Sequence, residues 1–457
     1  MISKDTICAV ATPPGIGGIA IVRLSGPDAF IIADRCFRGK AALATVPTHT
    51  IHYGKFYDGP QLIDTVTASV FRAPHSYTGE DVVEFGCHGG PLVTQQILNA
   101  LITAGARHAE PGEFTKRAFL NGKLDLTQVE AVADLIHAQT IPGAQAAARQ
   151  LVGGLTRRLQ QLRQQLIDIA GLLELELDFA EEDIELIDRE TVIQQLKAVH
   201  HICSELADSV VAAEILRGGY VVGIVGYPNA GKSSLLNALL GKQRAIVSDL
   251  PGTTRDYIEE VLFLDGMSIK LVDTAGLRDK PADRIELEGI ELAHSILQQS
   301  NLVLVLNDAS LGFDHSNSLL AALQQRYPQS RYLLVHNKLD LIPDPPSAFP
   351  SNGSVQTLGI SARTGEGLGQ LKRTLATIAR EDSQRVTDGL INERQATLLA
   401  AAARSLAAAI DALRAGLSNE FVAVEVREAL NAIGKITGEV YTDEVLQAIF
   451  SRFCIGK

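Results

Sequence analysis

The stretch Gly226-Tyr-Pro-Asn-Ala-Gly-Lys-Ser233 follows an apolar run, Tyr220 to Val225, and leads into a helical pattern, Ser234 to Leu240. A strand feeding a glycine-rich turn and then a helix aims backbone N–H groups and the positive end of a helix dipole at one spot, which suits polyphosphate. Gly226 and Gly231 let the backbone turn and approach a ligand without a Cβ clash. Asn229, Ala230, Gly231, Lys232, Ser233 and Ser234 are the candidate phosphate contacts. Lys232 can reach the outer phosphates, and the Ser233 hydroxyl is placed for a bridging Mg²⁺.

Outward from this loop, Asn337-Lys338-Leu339-Asp340 comes directly after a buried-strand pattern, Arg331 to Val335. A carboxylate at Asp340 can accept from the ring N–H and exocyclic amine of guanine, whereas adenine would leave it unpaired. Asn337 and Lys338 would brace the base and the phosphate loop, and the backbone of Ser361-Ala362-Arg363, after Leu358 to Ile360, could contact the guanine oxygen. Asp273-Thr274-Ala275-Gly276 closes the strand Ile269 to Val272; its carboxylate suits water-mediated Mg²⁺ contact and Gly276 N–H suits a γ-phosphate. Ser248-Asp249-Leu250-Pro251-Gly252-Thr253-Thr254 precedes it, with Thr254 as a second Mg²⁺ hydroxyl. Each segment alone reads equally well as a turn or a solvated loop. Five in this order within one domain's length point to GTP, with the last two segments as switches.

After Gly276 stands Leu277, where many GTPases use a Gln to orient the attacking water. The acidic stretch Asp283 to Glu291 lies close by in sequence, and Asn229 leaves a neutral amide oxygen near the phosphates where a monovalent cation could be coordinated.

Composition is compatible with several cores: 457 residues, 46% apolar. No run of 18 or more apolar residues occurs, and the N-terminus lacks an apolar signal segment, so a soluble, cytoplasmic protein without a membrane partner is expected. Five scattered cysteines without metal spacing fit reduced thiols. Cys454 reads equally as a nucleophile or as packing, and His88 beside Cys87 reads as part of a turn. A net charge of −12 argues against a broad RNA-binding surface, so any RNA contact is expected to be local.

Short β patterns such as Gly18 to Leu24 and Val82 to Gly86 make residues 1–120 an α+β domain. A helical segment, 121–217, carries Leu155, Leu159, Leu162, Leu166, Ile169 and Leu173 at alternating spacings of four and three, a packing seam. Residues 218–379 form the G domain, and helical periodicity resumes over 380–457, in Ala396 to Leu413 and Val422 to Ile433. The expected fold is multidomain: an α+β domain, then an all-α bundle interrupted by an inserted α/β Ras-like P-loop G domain, with junctions near Gly218-Gly219 and Arg380 to Ser383.

Asp5 to Gly15, Tyr77 to Glu84 running into His88-Gly-Gly-Pro91, Pro111 to Asn121 and the terminal Phe453-Cys-Ile-Gly-Lys457 look like signatures of one family. With the G-domain motifs, the chain resembles the bacterial and organellar tRNA-modification GTPases called MnmE or TrmE from end to end. That resemblance implies K⁺ held by Asn229, Ser248, Leu250 and Thr253, and a water-positioning carboxylate on Glu286. It implies a folate-binding and dimerising N-terminal domain, whose contacts to a reduced folate (5-formyl- or methylene-tetrahydrofolate) carry over onto Arg23, Glu84, Lys123 and Lys457. It further implies a homodimer working with an FAD- and NADH-dependent flavoprotein of the MnmG or GidA type, as a heterotetramer. Together these would add an aminomethyl or carboxymethylaminomethyl group to C5 of the wobble uridine of certain tRNAs, with much of the tRNA binding supplied by the partner. Two other readings are a ribosome-assembly GTPase without folate chemistry, for which no basic accessory domain is visible, and a dimeric scaffold that binds GTP without turning it over.

Overall fold

The computed structural model describes residues 5–178, 188–241, 259–273, 294, 296–346, 349, 355–384, 389–451 and 453–457. The chain forms two compact units, one from residues 1–136, 148–207 and 394–457, the other from 137–147 and 208–393.

The first unit contains a seven-stranded sheet ordered β3-β4-β5-β6-β2-β1-β7. Its strands are β1 (Ile7–Val10), β2 (Gly17–Ser25), β3 (Phe37–Gly39), β4 (Thr50–Asp58), β5 (Gln61–Phe71), β6 (Val82–Gly89) and β7 (Arg107–His108). Period-two alternation sends Val22, Leu24, Val66, Ala68, Val70, Val83 and Phe85 to one face, where they pack with the helices Ala29–Cys36 and Pro91–Thr103. The other face is read along the registers. Ile51, Ser69, Glu84 and Arg23 form one row across four strands, and Tyr53, Thr67, Gly86 and Ile21 the next. Near β1 this second face is covered by Phe114 and Tyr77 packing on Ile7 and Ala9, but at β4 it is bare: Ile51 is 71% and Tyr53 72% exposed.

The helical part of this unit carries the expected seam. Leu155, Leu159, Leu162, Leu166, Ile169 and Leu173 are all buried along the helix Gly154–Asp178, which packs against the helix Asn419–Thr437. Polar contacts join the chain segments on either side of the 208–393 stretch, among them Arg427 with Glu174, Arg163 with Glu439 and Arg394 with Glu130. Arg394 donates from Nε and Nη2 to the two oxygens of Glu130 at 2.9 Å each, and also to the carbonyls of Lys435 and Ile436 near a helix C-terminus. The helix Glu393–Arg414 is apolar and long enough to cross a membrane. Its Leu399, Ala402, Leu406 and Ala409 are buried, so core packing accounts for that composition.

The second unit holds a six-stranded sheet ordered β13-β12-β11-β8-β10-β9, from β8 (Tyr220–Gly226), β9 (Glu259–Leu264), β10 (Met267–Asp273), β11 (Leu302–Asp308), β12 (Arg331–Asn337) and β13 (Gln356–Gly359). All pairings are parallel except β9 with β10. Parallel strands covered on both faces read as continuous apolar runs, which is why Leu302 to Leu306 is fully buried. The carboxyl ends of β8, β11 and β12 therefore share one edge of the sheet, where open α/β sheets place ligands.

Two boundaries differ from those expected. Residues 137–147 leave the helical segment for the second unit, held by Thr140 Oγ1 donating to Leu216 O (2.6 Å) and Ile141 N to Gly266 O (3.1 Å). The helix Leu368–Ser383 runs unbroken through the expected junction at Arg380, because Leu371, Leu375, Ile378 and Ala379 continue one buried stripe.

Replacing Arg394 by Met leaves the Glu130 carboxylate, whose side chain is only 10% exposed, without its charge partner and with the bond from Gln395 Nε2 still in place. Urea unfolding should show a loss of about 3 kcal/mol in the first unit, the cost of removing one member of a buried pair, while Arg394→Lys should recover only part of it because a lysine cannot reproduce the two-pronged bond.

Candidate nucleotide site and a convergent polar site

β8 ends at Gly226 and the next helix, Lys232–Leu240, begins six residues later. Two glycines are required by close approach. A Cβ on Gly226 would lie 2.6 Å from Leu306 O, and one on Gly231 (φ +93°) 2.4 Å from Asn337 Nδ2. Asn229 also sits at positive φ, +62°, and is exposed at the loop tip, a conformation Asn tolerates better than most side chains. Lys232 Nζ donates to Gly226 O (2.8 Å) and Tyr227 O (3.1 Å), lying back across the loop it would share with phosphates. Ser233 and Ser234 are exposed at the helix start, where unsatisfied N–H groups and the helix dipole favour an anion.

Asn337, 2% exposed, ends β12 and ties three loops. Its Nδ2 donates to Ala230 O (2.9 Å) and its Oδ1 accepts from Ala362 N (3.0 Å). Ser361 Oγ donates to Asp340 Oδ1 (2.6 Å) and accepts from Thr364 N (3.1 Å), which fixes the carboxylate that would read guanine. Arg363 is exposed beyond them. Lys338, at φ +68°, pairs with Asp308 at 2.5 Å. Beneath this loop the fully buried His336 ring contacts Phe313 and Phe349 and meets Asn307 Nδ2 at 2.9 Å. Burial pushes its pKa down to about 4, so the imidazole is neutral near pH 7. Asp308 and His336 carried no sequence signal beyond standing at or near the ends of apolar runs.

Asp273 closes β10 in register with Ile224 of β8, next to the strand that delivers the phosphate loop. Ser248, Asp249, Leu250, Pro251, Gly252, Thr253, Thr254, Thr274, Ala275, Gly276, Leu277 and Glu286 lie outside the described residues.

In the first unit the four signature segments converge. Arg23 Nε donates to Glu84 Oε1 at 2.7 Å, Nη1 reaches Gly456 O at 3.4 Å, and the guanidinium lies 5.4 Å from the ring centres of both Tyr77 and Phe114. Burial, and then the Arg23 charge, lower the pKa of Lys457, with Glu84 opposing; residues 434 positions apart thus feel one another. The terminal segment is docked at two glycines, Gly112 N donating to Cys454 O (3.4 Å) and Gly456 (φ +100°) lying where a Cβ would be 2.3 Å from Val10 O. Lys123 is placed by its stem, whose Cγ would lie 3.3 Å from a Cβ on Gly79. Beneath, Arg117, 4% exposed, pairs with Asp5, Glu80 and Glu113, and Glu80 takes a bond from Ser25 Oγ at 2.7 Å. Lys123 also borders a cavity of about 410 Å³ with Asp125, Gln128, Thr156 and Tyr441.

All five cysteines are free thiols. Burial pushes Cys8 and Cys203 up to about 12, and burial, then a nearby aspartate (Asp58, Asp64), pushes Cys36 and Cys87 up to about 11, which leaves them poor nucleophiles; Cys454 alone is exposed. His88 is not in a turn. It belongs to β6, where pairing continues to Gly89, and its Nδ1 meets Asp64 Oδ1 at 2.7 Å.

The parallel sheet, the phosphate loop and the Asn337-to-Asp340 loop define a P-loop GTPase domain. A family profile described as MnmE helical domain matches residues 126–454, and one described as GTP-binding protein TrmE N-terminus matches 6–123. A tRNA modification GTPase MnmE of Chlorobium luteolum is 44% identical, covering 99% of this chain and 97% of that one. Its counterpart in Parabacteroides distasonis is 41% identical over 99% and 100%. Among solved structures, the G domain of the T. maritima FeoB iron transporter is 26% identical, covering 35% of this chain and 98% of that chain at a TM-score of 0.27. Aquifex aeolicus Era bound to GDP·AlF₄⁻ is 23% identical over 41% and 66%, TM-score 0.28. The chain belongs to the tRNA modification GTPase MnmE family, and its activity is GTP hydrolysis.

Gly231→Ala should abolish GDP binding measured by fluorescence titration, because a methyl there meets Asn337 and the backbone is left-handed. A second expectation concerns acid. The unfolded His336 binds a proton near pH 6.5 and the folded one only near 4, so its contribution to stability is complete above 6.5 and is lost as pH falls toward 4. Thermal melts of the wild type should therefore fall more steeply across that window than melts of His336→Gln.

Proposed function

We propose that this chain is a K⁺-dependent GTPase that acts with a reduced folate and a flavoprotein partner in modifying the wobble uridine of tRNA. The observation that carries this reading is the convergence of Arg23 of β2 with Glu84 and Lys457, from two distant signature segments, on one half-buried polar site. A carboxylate held by a guanidinium, next to a lysine and the rings of Tyr77 and Phe114, matches a ligand with a flat donor-rich ring and an anionic tail, as a reduced folate has. Lys123 is proposed as a further contact.

In the second unit, Ser233 would contribute a hydroxyl to Mg²⁺, with Thr254 as the second. The exposed amide of Asn229, presented by its left-handed backbone, suits a K⁺ whose other ligands would be Ser248, Leu250 and Thr253. A bound K⁺ would supply positive charge against the charge developing on the transferred phosphoryl group. Lys232 would move from its carbonyl partners onto the phosphates, Asp340 and Asn337 would hold the base, and Glu286 would orient the attacking water.

The bare sheet face with Ile51 and Tyr53 supports homodimerisation through the first unit, since apolar side chains this exposed on adjacent register rows favour a self-complementary contact. FAD is expected on the flavoprotein partner. The net charge of −12 is consistent with that partner carrying much of the tRNA contact.

Turnover of GTP should drop at least tenfold when K⁺ is replaced by Na⁺, and Glu286→Ala should drop it by about 10²–10⁴-fold in K⁺, the range for a positioned carboxylate; equal rates in the two salts would remove the K⁺ assignment. Isothermal titration with 5-formyl-tetrahydrofolate should give binding that Glu84→Gln and Arg23→Met each weaken more than tenfold, and no binding by the wild type would remove the folate assignment. Light scattering of Ile51→Asp/Tyr53→Asp should report a monomer if the bare face is the dimer contact.

A further inference from the structure

Next to the base-reading loop stands a buried carboxylate that none of the motifs assigns. Asp308 is the last residue of β11, in register beside Asn337, and is 7% exposed. Its two oxygens have different partners. Oδ1 accepts from Ser310 N (3.1 Å) and Ser310 Oγ (2.6 Å), whereas Oδ2 accepts from Lys338 Nζ at 2.5 Å. Burial alone would raise its pKa, but the bonds from Lys338 and Ser310 outweigh that and hold it below the usual carboxylate range, so the carboxylate is ionised near pH 7.

Lys338 has reason to need such an anchor. Its backbone lies in the left-handed region (φ +68°), so the direction in which the side chain leaves the loop is set by an unfavourable conformation. A lysine with a free ammonium samples many rotamers, and fixing it on ligand binding costs entropy. Held at its tip by Asp308, the four-carbon stem is tethered before nucleotide arrives, with 29% of the side chain still exposed. A tethered, charge-neutralised stem presents methylene groups to a flat purine face.

We infer that Asp308 is a positioning residue for guanine-nucleotide binding, which tethers and neutralises Lys338 so that the lysine stem forms a preformed wall of the base pocket. The benefit appears as affinity, because the ordering cost has been met before binding. It does not touch the reacting phosphate, so it should act on KM for GTP far more than on kcat. The competing account is that Asp308 only caps the turn Ala309–Leu311.

Asp308→Asn separates the two. An amide has one acceptor oxygen, so it can satisfy Ser310 N while losing the charge that holds Lys338, at the same volume. With the full-length protein and a fluorescent GDP analogue, Asp308→Asn should raise the Kd about tenfold, chiefly through faster dissociation. KM for GTP should rise by a similar factor with little change in kcat. Ser310→Ala, which removes one bond to Oδ1 and leaves Lys338 paired, should stay within about twofold of wild type. Lys338→Met, which keeps an unbranched apolar side chain but removes the ammonium, should lose as much as Asp308→Asn, and the double variant should be no weaker than either single one. A Kd for Asp308→Asn within twofold of wild type would overturn the assignment, as would losses that multiply in the double variant, or a loss in Ser310→Ala equal to that in Asp308→Asn. Should Asp308→Asn fail to fold by circular dichroism, Lys338→Met decides alone: retained GDP affinity there refutes the positioning role.

Discussion

The nucleotide site depends on one side-chain amide. Asn337 gives its Nδ2 hydrogen to the phosphate loop at Ala230 and takes a hydrogen from Ala362 through Oδ1. Three loops that leave three different strands are thereby set relative to one another by two bonds within one rigid plane. The geometry leaves no room for error, since a Cβ on Gly231 would lie 2.4 Å from the same Nδ2. Amide and glycine require each other, and the parallel register of β8, β11 and β12 brings them within reach.

A comparable economy governs the first unit. The chain's last residues are docked by main-chain contacts to Gly112 and Val10, so that Lys457 lies near the Arg23–Glu84 pair. Buried charges there are matched: Arg117 meets three carboxylates, and Arg394 meets Glu130 with two carbonyls besides. Such networks are costly to desolvate and costlier to break, which ties the placement of the polar site to the integrity of the fold beneath it.

Much of this was legible in the order of residues. The runs Tyr220 to Val225 and Arg331 to Val335 are strands because parallel, doubly covered strands are apolar throughout, and the leucine seam at 155–173 is buried because its spacing follows one helical face. Other features escaped for physical reasons. His88 continues a strand because Asp64 satisfies both its backbone N–H and its ring, a tertiary contact with no local signature. Residues 137–147 read as part of a helical segment, yet they pair with Leu216 and Gly266, since helical periodicity says which face is apolar and not what it packs against. The helix Leu368–Ser383 likewise runs through the expected junction at Arg380, because its buried stripe continues there.

The sequence by itself determined the class of the second unit, because phosphate and guanine recognition need particular residue types at short spacings beside strands, and short spacings are local. It also marked Arg23, Glu84, Lys123 and Lys457 as belonging together through family resemblance alone. Only the tertiary structure decided that Arg23, Glu84 and Lys457 meet, that Asp308 takes the Lys338 ammonium and that His336 is held neutral. Those facts depend on strand register and burial, which bring together residues tens to hundreds of positions apart and change the cost of carrying a charge.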